Sequence, residues 1–335
     1  SPLIYRKYKM QALIIGFGQD AKLLAIRLKE KSITFKILVK PSTDSSLFIP
    51  NFLDKNYLIY GDASDLNCLL EVFRKNDITH VFNVAGNTFS QSSNNNFYQY
   101  LNTNTQIFTN ILSIAENISN LWIYHPLSSE ILSGNKKKTF IKPRNAYGVS
   151  KAAELHIADV ASNNGINIFY PILFNHESGF RSKKFFTAKL IYFLLEKKEP
   201  LLEIWNTTSS RDWGSASEYM SLIISAAIKN KTGCPHLGTS KILSVADFVN
   251  YSIENIDIEY KKNINDNGMI FWELSDGRKI IEKARDLMDE SRVIIADKKS
   301  FNVSFGNKKL ISGRKLVNHL FREHKLIAKK DFYKI

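Results

Sequence analysis

The sequence predicts an α/β fold, a doubly wound parallel sheet of the Rossmann type followed by a smaller C-terminal substrate-binding domain. Three observations predict it. Short apolar runs alternate with stretches of helical periodicity through the first half of the chain. The first of those runs ends in a glycine turn, Gly16-Phe17-Gly18-Gln19-Asp20-Ala21. Further on, Tyr147 and Lys151 stand four residues apart where the next helix should follow the fifth run, which puts a phenol and an ammonium on one helix face.

Residues 12–15 read as the first strand, and Ala21, Leu24, Ala25 and Leu28 fall at helical spacing behind it. Between them, Gly16 and Gly18 let the backbone approach a pyrophosphate at a helix N-terminus, the dinucleotide fingerprint. Residues 35–39 form the second strand, at whose end an adenosine ribose would be read. An NAD site usually offers a carboxylate there, whereas this chain has Lys40-Pro41-Ser42-Thr43. A cation with hydroxyls suits a 2'-phosphate, so NADP is favoured over NAD, the alternative for Lys40 being a solvated turn lysine.

Residues 57–60 form the third strand, followed by Gly61-Asp62-Ala63-Ser64-Asp65. Asp62 is placed to meet the adenine edge, and Asp65 caps a helix running through Arg74. The fourth strand, 80–84, runs into Ala85-Gly86-Asn87, small residues that let backbone lie close to a cofactor. After the asparagines at 94–96 comes a long helix over 97–116, then the fifth strand, 121–124. That strand delivers Ser128 and Glu130 at its C-terminal end, where doubly wound sheets bind ligands. The helix over 147–163 and a sixth strand over 168–174 complete the sheet, with right-handed crossovers.

Composition narrows the function. A hydrophobic fraction of 44% and a charged fraction of 23% over 335 residues describe a globular protein with a sizeable core. No apolar run approaches the roughly 18 residues that span a bilayer, and residues 1–9 read as a basic lead-in to Met10, so the expectation is a cytoplasmic protein without a membrane partner. Cys68 and Cys234 lack the spacing of a disulfide framework or a zinc site, and no metal is expected. The net charge of +14 invites nucleic acid, but the lysines are spread in pairs and triplets such as those at 136–138 and form no recognition motif. A basic surface serves an anionic metabolite equally well.

Chemistry concentrates between Ser128 and Lys151. The Lys151 ammonium favours the Tyr147 phenolate, so the tyrosine can exchange a proton with a carbinol oxygen. Tyrosine and lysine also occur at this spacing on ordinary helices; the dinucleotide fingerprint upstream is what makes the pair an alcohol-oxidising site. His125, His156 and the other histidines have no constellation and read as ordinary surface or core residues.

Several strings carry a family resemblance: Gly18-Gln19-Asp20, Tyr60-Gly61-Asp62-Ala63-Ser64-Asp65, Ser128-Ser129-Glu130, Pro143-Arg144-Asn145-Ala146-Tyr147 with Lys151, Ile172-Leu173-Phe174-Asn175-His176-Glu177-Ser178, and Arg211-Asp212-Trp213-Gly214 with Glu218-Tyr219. On these the chain resembles the extended short-chain dehydrogenase/reductases, and among them the GDP-mannose 4,6-dehydratases. The resemblance implies that Tyr147 removes the sugar O4 proton, that Lys151 lowers its pKa and holds the nicotinamide ribose, and that Glu130 is the base at C5. Ser128 stands where the family has threonine, its hydroxyl able to bond O4. Cofactor contacts are implied for Gly16, Gly18, Gln19, Asp20, Lys40, Asp62, Ala63, Ala85, Tyr147, Lys151, Leu173, Asn175 and His176. Substrate contacts are implied for Asn175, Lys189 and Arg211, with Arg181 a looser match, and the GDP-linked sugar is the implied partner, bound by a homodimer or homotetramer.

The chain departs from the pattern at Ala21, at Lys40-Pro41 in place of an arginine pair, in a shorter loop over 131–143, and at Ser300-Phe301-Asn302-Val303, where the family has a nucleotide-binding arginine. A C4 reductase or epimerase, or a diverged nucleotide-binding homologue, therefore stands beside the dehydratase reading. The expected domains are a Rossmann domain over 10–174, to which 205–240 returns, and a nucleotide-sugar domain over 175–204 and 241–335.

Overall fold

The computed structural model describes residues 10–43, 53–87, 97–135, 139–284 and 293–335; the lead-in 1–9, the asparagines 94–96 and the lysines 136–138 lie outside them. The chain divides into two compact units, Ser1–Leu127 with Arg144–Pro171 and Met220–Cys234, and Ser128–Pro143 with Ile172–Tyr219 and Pro235–Ile335.

The first unit is built on β1 (Gln11–Ile15), α1 (Gln19–Glu30), β2 (Thr34–Val39), β3 (Leu58–Tyr60), α2 (Leu66–Lys75), β4 (His80–Asn83), α3 (Phe97–Ala115), β5 (Trp122–Tyr124), α4 (Ala146–Asn163) and β6 (Asn167–Phe169). Its sheet has six strands in the order β3-β2-β1-β4-β5-β6, every pairing parallel. That is the doubly wound arrangement, whose ligand crevice lies beyond the carboxyl ends of the strands. Ala21, Leu24, Ala25 and Leu28 on α1 are fully buried, as their spacing requires. Asp65 caps α2 by accepting the Asn67 N–H at 2.9 Å.

The sixth strand is shorter than the sequence suggests. Pro171 has no N–H for the ladder, and the run 168–174 breaks there: β6 ends at Phe169, the Pro171 carbonyl accepts the Leu127 N–H, and Ile172–Leu173 is a separate strand paired with His236–Leu237. The division between units also differs from the expected one, since 128–143, 172–174, 205–219 and 235–240 belong to the second unit. Strand pairing ties in part of this: Leu201–Trp205 pairs with Lys279–Ala284, Asn175–Glu177 with Trp213–Ser215, and Ile172–Leu173 with His236–Leu237.

The second unit contains β7 (Asn175–Glu177), α5 (Phe186–Glu196), β8 (Leu201–Trp205), β9 (Trp213–Ser215), α6 (Ala216–Ile228), which straddles the division, α7 (Val245–Glu254), β10 (Tyr260–Ile264), β11 (Ile270–Leu274), β12 (Lys279–Ala284) and α8 (Arg314–Ala328). The strands β8-β12-β11-β10 form a four-stranded sheet with β8 parallel to β12 and the rest antiparallel. Its core packs Trp213, Phe248, Trp272, Leu320 and Phe321, and the Trp272 indole N–H donates to Asn250 Oδ1 at 2.8 Å, so the largest apolar ring leaves no buried donor unpaired.

Candidate active site

The cofactor end of the first unit starts at Gly16, whose φ of +114° and whose Cβ position 3.0 Å from the Ala85 nitrogen exclude a side chain. The loops after β1 and β4 thus lie in contact through bare backbone, with Ala85 as the second surface. Gly18 differs: a Cβ there would point into open space, so packing does not demand a glycine. Gly18 is the N-cap of α1 and supplies no side-chain cap, which leaves the positive end of the helix dipole open to an anion, with Gln19 and Asp20 in the first turn. A pyrophosphate fits this cradle. At the end of β2, Lys40 Nζ lies 3.0 Å from Asp62 Oδ2, and Asp62 Oδ1 accepts from the N–H and hydroxyl of Ser64. Partial burial pushes the Asp62 carboxyl upward, but the Ser64 bonds and then Lys40 outweigh it, so the group sits below its ordinary value. The two residues assigned to the adenosine end are therefore partners of one another. Ala63 beside them is buried, and its carbonyl accepts from Asn110.

Tyr147 and Lys151 lie on α4, begun by Asn145, whose side chain accepts the Gly148 N–H at 2.7 Å. Tyr100 meets the Tyr147 ring edge-on at 6.4 Å. Ser150 donates to the Tyr147 carbonyl at 2.8 Å and accepts from Asn104 at 3.1 Å, tying α4 to α3. The Lys151 ammonium is buried, donating to the Pro126 carbonyl at 3.0 Å and lying 2.8 Å from Glu154 Oε2. Burial opposes its charge, but Glu154 and then Tyr147 outweigh burial and raise its pKa.

In the second unit, Ser128 and Glu130 sit at one turn. The Ser128 hydroxyl accepts the Glu130 N–H at 3.2 Å and so caps the 3-10 turn Ser129–Ile131, which leaves its own O–H as a donor. After it, Leu132–Gly134 pairs antiparallel with Thr139–Ile141. Leu173 is buried. Asn175 and His176 are consecutive on β7; the His176 Nδ1 lies 2.9 Å from the Phe174 carbonyl and its ring stacks on Tyr219 at 5.4 Å. Lys189, on α5, reaches the Glu203 carbonyl at 3.3 Å and lines a 420 Å³ cavity with Lys183, Tyr192 and Glu196; Arg211, on the strand Ser210–Arg211, is not part of that lining. Arg181 pairs with the buried Glu177 at 3.3 Å and covers the Phe185 ring.

His125 is a core residue, as one of its expected readings has it, but it belongs to a constellation. It is buried in the first unit, stacked on Phe108 at 3.7 Å, with Nε2 3.0 Å from Glu154 Oε2 and Nδ1 3.0 Å from the Asn83 amide. Sequence reasoning passed over both His125 and Glu154. The signal for Glu154 was its position three residues after Lys151 on one helix face.

A parallel sheet in this order, a glycine turn at its first crossover and a Tyr-x-x-x-Lys helix after its fifth strand define an extended short-chain dehydrogenase/reductase. The chain belongs to the GDP-mannose 4,6 dehydratase family, whose family model matches residues 13–320. It is 27% identical over 253 residues to GDP-mannose 4,6-dehydratase sdnI of Sordaria araneosa, a match covering 71% of this chain and 46% of that one. It is 26% identical over 264 residues to the GDP-mannose 4,6-dehydratase of Sinorhizobium fredii, covering 72% and 75%. Among solved structures, the Thermus thermophilus UDP-glucose 4-epimerase in complex with NAD shares the fold, with a TM-score of 0.75 at 13% identity over 94% of this chain and 99% of that one. Among the described residues, no helix is long and apolar enough to cross a membrane, and no group of three or more His, Cys, Asp or Glu could hold a metal.

Proposed function

We propose that this protein is a nucleotide-sugar 4,6-dehydratase, converting GDP-mannose or a related GDP-sugar to the 4-keto-6-deoxy sugar with internally recycled NADP. The observation that carries the reading is that one family member holds both Tyr147 on a helix with a buried, ion-paired Lys151 and a carboxylate, Glu130, at a capped turn shortly after the fifth strand. A reductase or epimerase acting at C4 alone has no use for a base at C5. When bound, the nicotinamide cofactor supplies hydride acceptance from C4 and hydride return at C6. Tyr147 takes the O4 proton as C4 is oxidised, with the Lys151 charge favouring the phenolate. The C4 ketone acidifies the C5 proton; Glu130 takes it, and the C6 hydroxyl leaves as water. Ser128 would donate to O4, Asn175 and His176 would lie between the nicotinamide and the sugar, and Arg211 and Lys189 are assigned to the diphosphate by the family resemblance, a planar guanidinium suiting paired phosphate oxygens.

Incubation of the protein and its bound cofactor with GDP-mannose, without any added reductant, is expected to yield a 4-keto-6-deoxy product, because the hydride is returned. A requirement for stoichiometric NADPH would instead favour the C4 reductase. NADP is preferred because Lys40 stands where an NAD site usually carries a carboxylate. Lys40→Ala is expected to weaken NADP binding about tenfold while changing NAD binding little, read by cofactor fluorescence titration. Equal losses for both cofactors would refute the preference. The same reading expects a cytoplasmic homodimer or homotetramer, as in the family the sequence resembles.

A further inference from the structure

Lys151 carries a burden that its role beside Tyr147 does not explain. Lys151 is 7% exposed, and its ammonium is held by two groups, the Pro126 carbonyl and the carboxylate of Glu154, a residue 1% exposed. Burying a carboxylate is costly unless it is paired and bonded. Glu154 meets that condition twice through one oxygen, Oε2, which faces Lys151 Nζ at 2.8 Å and His125 Nε2 at 3.0 Å. His125 in turn is fixed from both sides of its ring: Phe108 stacks on its face, and the Asn83 amide lies 3.0 Å from Nδ1. An amide N–H donating to Nδ1 leaves the proton on Nε2, pointed at Glu154.

We propose, resting on the dehydratase reading, that Glu154 is a positioning residue of the catalytic tyrosine: its buried carboxylate, oriented by His125, fixes Lys151 and sets the pH at which the Tyr147–Lys151 pair releases its protons. The titratable groups around it support this. Glu154 is held at about 2 because, although burial opposes its charge, Lys151 and His125 outweigh burial. Burial lowers the His125 pKa despite the opposing pull of Glu154, and with Asn83 on Nδ1 the Nε2 proton is the one that faces the Glu154 carboxylate. From α4 itself Tyr147 acts on Lys151, and from α1 and α4 Asp20 and Tyr147 act on Tyr124, which burial keeps protonated. Around Tyr147 the ammonium is thus partly cancelled by a carboxylate one helical turn further on. The lysine remains charged into alkaline solution, and its pull on the phenol is moderated.

The test uses the full chain with its cofactor. The chain has 14 tyrosines, so the Tyr147 titration is read as the tyrosinate ultraviolet difference between wild type and Tyr147→Phe, then between Glu154→Gln and Glu154→Gln/Tyr147→Phe. Removing a buried negative charge eases proton loss from both members of the coupled pair, so the Tyr147 signal should move to lower pH by about 1 unit. Both limbs of the turnover profile should move in the same direction. Glu154→Asp, which keeps the charge, should return the titration toward the wild-type position. An unmoved tyrosinate titration in folded Glu154→Gln overturns the proposal, and because that readout involves no sugar it is independent of whether the protein is a dehydratase. If Glu154→Gln does not fold, Lys151→Met/Glu154→Gln carries the test, since removing both buried charges should give a higher melting temperature than Lys151→Met alone. A double variant no more stable than Lys151→Met overturns the pairing.

Discussion

Glu130→Gln is expected to lower dehydratase turnover by about 10²–10⁴-fold, the usual contribution of a positioned proton-transfer group, while cofactor affinity stays at the wild-type value. The substitution keeps the shape of the side chain and removes only its ability to accept a proton. It leaves the local fold alone, because the 3-10 turn Ser129–Ile131 is secured by the backbone N–H of residue 130 on the Ser128 hydroxyl, which glutamine retains. The sharper measurement is deuterium uptake at C5 from heavy water, which should stop in the variant even if oxidation at C4 continues. Undiminished exchange at C5 would mean that another group is the base. A loss of turnover together with cofactor binding would mean that the variant had damaged the fold.

Gly16→Val is expected to weaken cofactor binding by more than about 100-fold and to lower the unfolding free energy by about 3 kcal/mol, combining backbone strain and overpacking of about 1–3 kcal/mol each. A φ of +114° is one that a β-branched residue adopts only at a high cost, and the new Cβ would stand 3.0 Å from the Ala85 nitrogen and 3.1 Å from its Cα. Backbone on the far side cannot rotate away as a side chain could. Gly18→Ala supplies the contrast. With open space at its Cβ position, it should leave the melting temperature almost unchanged and affect binding only. Calorimetric melting of the two variants with and without cofactor separates the effects, and equal destabilisation by both would show that the glycine turn is not packed as described.

The parts of the fold written in local periodicity were legible. The first five strands and the helices beginning at Gln19, Leu66, Phe97 and Ala146 were placed within a residue or two, since each is an apolar run or face, and Gly18, Asp65 and Asn145 mark the starts of three of the helices. The sixth strand was drawn through Pro171 because its apolar run continues; the missing N–H is a backbone property that hydrophobicity does not register. The hairpins of β10, β11 and β12 went unread, although Asn265-Asp266-Asn267-Gly268 and Asp276-Gly277 mark both turns, with Gly268 and Gly277 at φ of 74° and 88°. At the site, Tyr147, Lys151 and Glu130 were visible as residue types at a spacing. His125 and Asn83 were not, since His125 reaches Glu154 from just beyond β5 and Asn83 reaches His125 from β4, and only the register of the parallel sheet sets them side by side. The Lys40–Asp62 pair was hidden for the same reason, its members lying beyond neighbouring strands β2 and β3.

The chain passes from one unit to the other at 127/128, 143/144, 171/172, 219/220 and 234/235, so neither unit is a continuous segment. Cut at those junctions, the parts of the reaction separate unevenly. Tyr147 and Lys151 remain with the glycine turn, while Ser128 and Glu130 go with Asn175, His176, Lys189 and Arg211. On the proposed assignment, exchanging the second unit would change the sugar contacts and the C5 base together and leave the residues assigned to C4 oxidation in place. On that assignment the proposed chemistry is modular although the two units are interleaved in sequence.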